Sequence, residues 1–171
     1  MNVKQIDRTI GSCLVAACLF GLSSSACSNV AAYQRGNLAH FTMKPNDASS
    51  VALLRIGDVT FLLTGDAEAD EERWLLAHQR ALLRADVLKV AHHGSRTSSI
   101  PEFLDAVRPR LALVSVGAGN VYRHPSPEVM QSLAGRGTVT MRTDLHGTVV
   151  VRTDGRRIEV EAAGERWMLK P

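Results

Sequence analysis

Runs of hydrophobic residues alternate with short polar breaks along most of the chain, and their spacing predicts strands and helices in turn. Two apolar, branched runs separated by Gly57-Asp58 predict a β-hairpin. Segment 67–83 begins with acidic residues and continues with Trp and Leu at helical spacing, which predicts an amphipathic helix. The predicted strands are 51–56, 59–64, 86–91, 111–116, 139–142, 148–152 and 157–161, and the other predicted helices are 101–107 and 127–134. Strands that alternate with helices and end in a meander predict a layered α/β domain.

The first 30 residues have a different pattern. Lys4 and Arg8 precede an uncharged run, 9–30, which has an apolar centre and ends in small residues. This pattern predicts a signal-like or anchor segment, 1–30, and hence an exported or membrane-anchored protein. Processing as a lipoprotein at Cys27 is an alternative, and a stable membrane-spanning helix is the weaker one because Gly and Ser dilute the run.

Composition narrows the class of protein. The chain has 171 residues, of which 45% are hydrophobic and 22% charged, so one domain with a real core is expected. These values exclude a disordered polyelectrolyte and a polytopic membrane protein. The net charge of +3 permits a polyanionic partner without requiring one. Arginine dominates the basic residues; it suits phosphate and carboxylate, although a G/C-rich genome gives the same bias.

Polar residues of catalytic type follow three of the predicted strands. Asp66 follows an apolar strand and Gly65, His92 and His93 follow the next strand, and His124 lies in a later loop. One carboxylate and three imidazoles are ligands that Zn²⁺ or Mn²⁺ accepts. The plain alternative for Asp66 is a helix N-cap, which this position favours in any case.

Several short motifs in a consistent order resemble the C-terminal hydrolase domain of the ComEC competence-protein family, a branch of the metallo-β-lactamase superfamily. The motifs are Asn46-Asp-Ala-Ser-Ser-Val51, Phe61-Leu-Leu-Thr-Gly-Asp66, Ala85-Asp-Val-Leu-Lys-Val-Ala-His-His-Gly-Ser95, Arg108-Pro109, Ser115-Val-Gly117, Asn120-Val-Tyr-Arg-His-Pro125 and Arg142-Thr-Asp144. The resemblance covers about residues 38–161 and implies a metallo-β-lactamase-like domain over 38–165 with the αββα sandwich, of which this chain has the C-terminal portion.

The resemblance implies metal-dependent hydrolysis of the phosphodiesters of DNA during uptake in the bacterial cell envelope. It implies two divalent ions, Zn or Mn, in the intact site, with one or none here. The ligands implied are Asp66, His93, His124 and His40, and the catalytic residues are Asp66, His93 and His92. Hydroxyl and basic side chains nearby are candidates to contact the substrate phosphate, with a solvated loop as the alternative for each: Ser95, Thr97, Lys89 and Arg123.

The sequence departs from the superfamily in one respect. The string His-x-His-x-Asp-His, which carries the main metal ligands of the superfamily, does not occur in it. We therefore expect a truncated domain with an impaired metal site. Three hypotheses follow: a hydrolase with lost or reduced activity, a hydrolase completed by a partner chain that supplies the missing half, and a non-catalytic secreted module that binds nucleic acid or protein. A membrane tether through the N-terminal segment is the alternative to export.

Overall fold

The structure is a computed structural model that describes residues 51–169 and the backbone of 14–15 and 38–41. The rest of the predicted N-terminal segment lies outside the described residues. The strands are β1 (Leu14–Val15), β2 (Leu38–Phe41), β3 (Val51–Ile56), β4 (Val59–Leu63), β5 (Val87–Lys89), β6 (Leu111–Val114), β7 (Val139–Arg142), β8 (Val149–Thr153), β9 (Ile158–Ala162) and β10 (Glu165–Met168). The helices are α1 (Ala69–His78), α2 (Pro101–Val107), α3 (Pro127–Gly135) and the single turn α4 (Thr143–His146).

Two sheets form the centre of the described fold. The larger has the strand order β2-β3-β4-β5-β6-β7, antiparallel from β2 to β4 and parallel from β4 to β7. The smaller is antiparallel, with the order β1-β8-β9-β10. The combination of parallel strands with crossover helices confirms the predicted α/β class.

The period of two along each strand divides the hydrophobic core between the two faces of the larger sheet. Phe61 belongs to a cluster between the sheets, whereas the adjacent Leu62 belongs to a cluster under the helices. The same alternation separates Val87 from Leu88 on β5. The described residues therefore form three layers, in which α1, α2 and α3 cover one face of the larger sheet and the smaller sheet covers the other.

The parallel arrangement decides where the polar loops meet. Because β4, β5 and β6 run in the same direction, their carboxyl ends share one edge of the sheet. The loops that leave this edge carry Asp66, His92, His93 and His124. The edge is the place at which a site is expected in an open α/β sheet.

The structure differs from the sequence prediction in several elements. The strands predicted over 86–91 and 111–116 are shorter, since β5 ends at Lys89 before a 3₁₀ turn, Ala91–Gly94, and β6 ends at Val114. Strands β1 and β2 were not predicted. The helix predicted over 67–83 is shorter, because α1 ends at His78 and a 3₁₀ turn, Arg80–Leu82, follows it. Strand β10 and the single-turn helix α4 were not predicted. Among the described residues, none of the helices has the length and apolar character needed to cross a membrane.

Candidate metal centre

A tight turn after β4 places Asp66 on the surface of the carboxyl edge. The buried hydroxyl of Thr64 donates to the backbone carbonyl of Lys89 at 2.6 Å, which joins the ends of β4 and β5. The backbone N–H of Ala67 then donates to the carbonyl of Thr64 at 3.0 Å, so that the chain turns once before α1 begins. The N-cap residue of α1 is Glu68, so the alternative of Asp66 as the cap is wrong. The carboxylate of Asp66 is thereby left for another role.

The two histidines after β5 lie in a left-handed turn. The φ angles of His92 and His93 are 44° and 56°, a conformation that costs a side-chain-bearing residue free energy and that is concentrated at functional sites. The backbone N–H of His92 donates to the carbonyl of Gly65 at 3.1 Å, which holds this turn against the turn that carries Asp66.

The contacts of His93 decide its tautomer. Its Nδ1 lies 2.6 Å from the backbone carbonyl oxygen of Ser115, and because a carbonyl only accepts, Nδ1 carries the proton. The Nε2 atom of the neutral ring therefore presents a lone pair. Nε2 lies 4.0 Å from Oδ1 of Asp66, and both side chains are about half exposed. In this tautomer both atoms are acceptors, and both are open to solvent or to a ligand.

A second hydrogen-bonded chain orients His92. Its Nδ1 lies 2.9 Å from Oε1 of Glu68, and Thr97 donates its hydroxyl hydrogen to the same oxygen at 3.0 Å. Ser95 and Thr97 are joined through their hydroxyls at 2.9 Å; since Thr97 donates to Glu68, Ser95 is the donor in this pair. The carboxylate fixes the proton of His92 on Nδ1 and leaves Nε2 with a lone pair, as in histidine ligands of metal ions.

The loop 117–124 brings His124 to the same edge. The side chain of Asn120 donates to the backbone carbonyl of His124 at 2.8 Å and accepts the backbone N–H of His124 at 2.9 Å, which explains the Asn of the Asn120-Val-Tyr-Arg-His-Pro125 motif. The ring centroid of His124 lies 5.8 Å from that of His92, and the exposed ring of Tyr122 stacks on it at 5.9 Å. Partial burial, reinforced by repulsion from the protonated forms of His92 and His93, lowers the pKa of His124 and favours its neutral ring.

The donor set fits a divalent ion only in part. A tetrahedral ion bound to one carboxylate oxygen and one imidazole nitrogen holds the two atoms about 3.4 Å apart, so the 4.0 Å between Asp66 and His93 would have to shorten by roughly half an ångström to hold it. Within 51–169, however, no group of three or more His, Cys, Asp or Glu is arranged to hold a metal ion. His40 lies on β2 opposite Ala52, and its side chain lies outside the described residues. The described residues thus offer Asp66 and His93 as a pair, with His92 and His124 beside them.

The candidate substrate residues differ in their surroundings. Ser95 is buried, and the hydroxyls of Ser95 and Thr97 are already used within the loop, which favours a positioning role for both. Lys89 is partly buried on β5; burial lowers the pKa of its ammonium group, although the charge of Asp66 opposes that shift. Arg123 is exposed, and its side chain forms no hydrogen bond or ion pair with the described residues.

Sequence reasoning missed Glu68, which orients His92. A signal was present, because Glu71 lies three residues after Glu68 and its side chain accepts the N–H of Glu68 at 3.0 Å, as in a capping box. The carbonyl of Ser115 could not be found from the sequence, since any residue supplies a backbone carbonyl.

The family of the chain follows from a match to a family model. The model described as "Metallo-beta-lactamase superfamily" matches residues 33–118, about half of the chain. This chain belongs to the metallo-β-lactamase superfamily. The predicted metallo-β-lactamase fold is thereby confirmed, and Asp66, His92 and His93 lie within the matched part.

Three curated relatives are similar to the chain. It is 37% identical to ComE operon protein 3 of Bacillus subtilis over 65% of the chain and 14% of that protein. It is 38% identical to Competence protein ComA of Neisseria gonorrhoeae over 61% of the chain and 15% of that protein. Recombination protein 2 of Haemophilus influenzae is 38% identical over 74% of the chain and 16% of its own length. The predicted resemblance to the ComEC family is confirmed, and the match spans only 14–16% of the length of these relatives.

Proposed function

We propose that the carboxyl edge of the larger sheet is part of a metal-dependent phosphodiesterase site whose substrate is DNA. The observation that supports the proposal most directly is the 4.0 Å separation between Oδ1 of Asp66 and the lone-pair-bearing Nε2 of His93. The superfamily of the chain supports metal-dependent hydrolysis as the reaction, and the similarity to competence and recombination proteins favours DNA as the substrate class.

The described residues divide the work of such a site. Asp66 and His93 hold the ion, and the carbonyl of Ser115 keeps the ring of His93 in the tautomer that does so. A divalent ion, Zn²⁺ or Mn²⁺, lowers the pKa of water and neutralises charge on phosphoryl oxygens. His124, whose lowered pKa keeps it neutral, presents an imidazole to the same edge and can accept a proton there. Lys89 and Arg123 add positive charge for the substrate phosphate.

The absence of His-x-His-x-Asp-His from the sequence leads us to propose a weakened site. The half-exposed side chains of Asp66 and His93 are accessible to further ligands, which a partner chain could supply. Export or anchoring at the bacterial envelope through residues 1–30 is part of the same proposal and rests on Lys4, Arg8 and the uncharged run that follows them. Uptake of DNA at that location is the setting in which a phosphodiesterase of this kind would act.

Hydrolysis of a small phosphodiester tests the proposal. The full chain is incubated with bis(4-nitrophenyl) phosphate and Mn²⁺ or Zn²⁺, alongside Asp66→Asn and the control Asp70→Asn, which changes an exposed carboxylate of α1 paired only with Arg73. We expect metal-dependent release of nitrophenol that Asp66→Asn lowers at least tenfold and Asp70→Asn leaves unchanged.

Two results would contradict catalysis at this edge. Hydrolysis at the unmodified rate in Asp66→Asn would remove Asp66 from the site. No metal-dependent hydrolysis by the unmodified chain would instead support the second candidate, a non-catalytic binding module of the same fold. That candidate is favoured by the lack of a three-ligand group among residues 51–169.

A further inference from the structure

The amino ends of β4, β5 and β6 form the edge of the larger sheet opposite the one that carries Asp66. A cavity of about 340 Å³ opens there, beside the 3₁₀ turn that follows α1 and the segment between α2 and β6. Its polar lining is dominated by guanidinium groups, with only two carboxylates and one hydroxyl: Arg55, Arg84, Arg108, Arg110, Asp58, Asp86 and Thr60. The charge of this cavity is therefore positive.

Arg108 connects this cavity with two others. It also lines a cavity of about 670 Å³ that extends to Arg136 and the half-buried Trp167, and a cavity of about 180 Å³ that includes Arg80. Arg108 caps α2 in the left-handed conformation, with a φ of 51°, and its Nε donates to the carbonyl of Asp105 at 3.1 Å, so its place is fixed. The result is a grooved surface, here called the arginine face: Arg55, Arg80, Arg84, Arg108, Arg110 and Arg136.

Two carboxylates of this surface, Asp86 and Asp105, are committed to other groups, whereas the side chain of Asp58 forms no hydrogen bond or ion pair among the described residues. One oxygen of Asp86 accepts from the backbone N–H and the hydroxyl of Thr60, both at 2.9 Å, and the other lies 3.6 Å from Arg110. Asp105 forms an ion pair with Arg136 at 2.8 Å.

Three guanidinium groups of the arginine face have no hydrogen-bond or ion-pair partner among the described residues. Within the part of the chain that the structure describes, the side chains of Arg55, Arg80 and Arg84 form no hydrogen bond or ion pair, and all three residues are exposed. Three uncompensated guanidinium groups beside concave surface are suited to several phosphates in a row.

We propose that the arginine face binds the sugar–phosphate backbone of nucleic acid, at an edge distinct from the candidate metal centre. The guanidinium group of arginine binds two phosphate oxygens at once. The adjacent cavities can receive the sugar–phosphate backbone, which protrudes from the surface of a nucleic acid. The arginine face is concave, and a flat lipid bilayer would contact it poorly. The shape therefore favours nucleic acid over an anionic membrane as the ligand. Trp167 is the one aromatic residue that lines these three cavities, so the contact is with phosphate and independent of base sequence.

The two edges would then have different tasks. The carboxyl edge would bind the phosphodiester that is hydrolysed. The arginine face would bind another part of the same nucleic acid. Binding at the arginine face needs neither Asp66 nor a metal ion, and thus goes beyond the proposed hydrolysis. The failure of one proposal leaves the other standing.

Fluorescence anisotropy of a labelled 30-nucleotide oligonucleotide, single-stranded and duplex, tests the proposal with the full chain. The variant is Arg80→Gln/Arg84→Gln, since both side chains are exposed and form no hydrogen bond or ion pair among the described residues. The control, Arg73→Gln/Arg166→Gln, removes the same charge from α1 and from β10, where both arginines pair with carboxylates. Asp66→Asn is measured in parallel.

The expected result is binding that the Arg80/Arg84 variant weakens at least tenfold, with the slope of log Kd against log salt on duplex reduced by about two. The control and Asp66→Asn should bind like the unmodified chain. Three results would overturn the proposal: no oligonucleotide binding at low salt, an equal loss in variant and control, or a variant that loses sedimentation with phosphatidylserine vesicles while it still binds the oligonucleotide.

Discussion

Oε1 of Glu68 lies 2.9 Å from Nδ1 of His92, and the same oxygen accepts the hydroxyl hydrogen of Thr97. This carboxylate links the start of α1 to the turn after β5 across 24 residues of sequence. It fixes the orientation of His92 next to the pair Asp66 and His93. In metal sites, a carboxylate that accepts a hydrogen bond from a histidine commonly fixes the orientation of the ring and makes its other nitrogen a stronger ligand.

The variant Glu68→Ala tests this role. We expect the rate of metal-dependent hydrolysis of bis(4-nitrophenyl) phosphate to fall about ten- to a hundredfold, because His92 loses its fixed tautomer and orientation beside the ion. The matched control is Glu71→Ala, which removes the contact to the N–H of Glu68 at the helix start without touching His92. An equal loss in both variants would mean that Glu68 matters only for α1.

Gly94 locks the two histidine loops together. Its φ is +80°, and a Cβ at this position would lie 2.6 Å from Cβ of Pro125, next to His124. We expect Gly94→Ala to lower the free energy of unfolding by roughly 2–4 kcal/mol in chemical denaturation, because strain of the left-handed backbone adds to the clash. Gly119→Ala is the control, since its φ is +67° but its surroundings are open. Equal losses would show that the contact with Pro125 costs nothing.

The buried carboxyl group of Glu72 should make the free energy of unfolding depend on pH. This residue of α1 is 0% exposed, and its carboxylate accepts the backbone N–H groups of Ser99 and Ile100 at 2.6 and 2.8 Å. Burial outweighs these hydrogen bonds and raises its pKa from 4.5 to about 7. Between these two values the folded chain holds the proton more tightly than the unfolded chain does, so stability falls as the pH rises through this window.

The pKa shift of Glu72 sets the size of this loss of stability. The free energy of unfolding should fall by about 3 kcal/mol between pH 4.5 and 7. Urea unfolding of the unmodified chain and of Glu72→Gln at several pH values measures it. The stability of the unmodified chain relative to the variant should decrease as the pH rises, because the amide does not titrate. A constant difference over this range would contradict the buried, titrating carboxyl group.

Much of the fold was accessible from the hydrophobic pattern. The bounds of β3, α2 and β7 agree with the predicted ranges, because each is flanked by turn residues or begins at proline. Strand β10 escaped prediction because it is short and begins with Glu165 and Arg166, whose exposed side chains break the apolar alternation. Which face of β4 met the helices was also open, since a wholly apolar run does not distinguish Phe61 from Leu62.

The candidate site was predicted only as far as its residue types. The parallel order of β4, β5 and β6 brings Asp66, His93 and His124 to one edge, and strand exits are visible in the sequence. The N-cap position was less accessible, because the chain makes an additional turn after Thr64 before α1 begins. The partners of the imidazoles lie more than 20 residues away, at Glu68 and at the carbonyl of Ser115, and only the folded chain brings them together.

A double-mutant cycle on Zn²⁺ affinity tests the central claim, that Asp66 and His93 hold one ion. Asp66→Asn, His93→Ala and the double variant are titrated calorimetrically, with Asp70→Asn, His78→Ala and their combination on α1 as the control set. We predict that each site variant weakens binding at least tenfold and that the double variant is little weaker than either, because the first loss already breaks the shared coordination. Additive losses, or affinities equal to those of the control set, would contradict the claim.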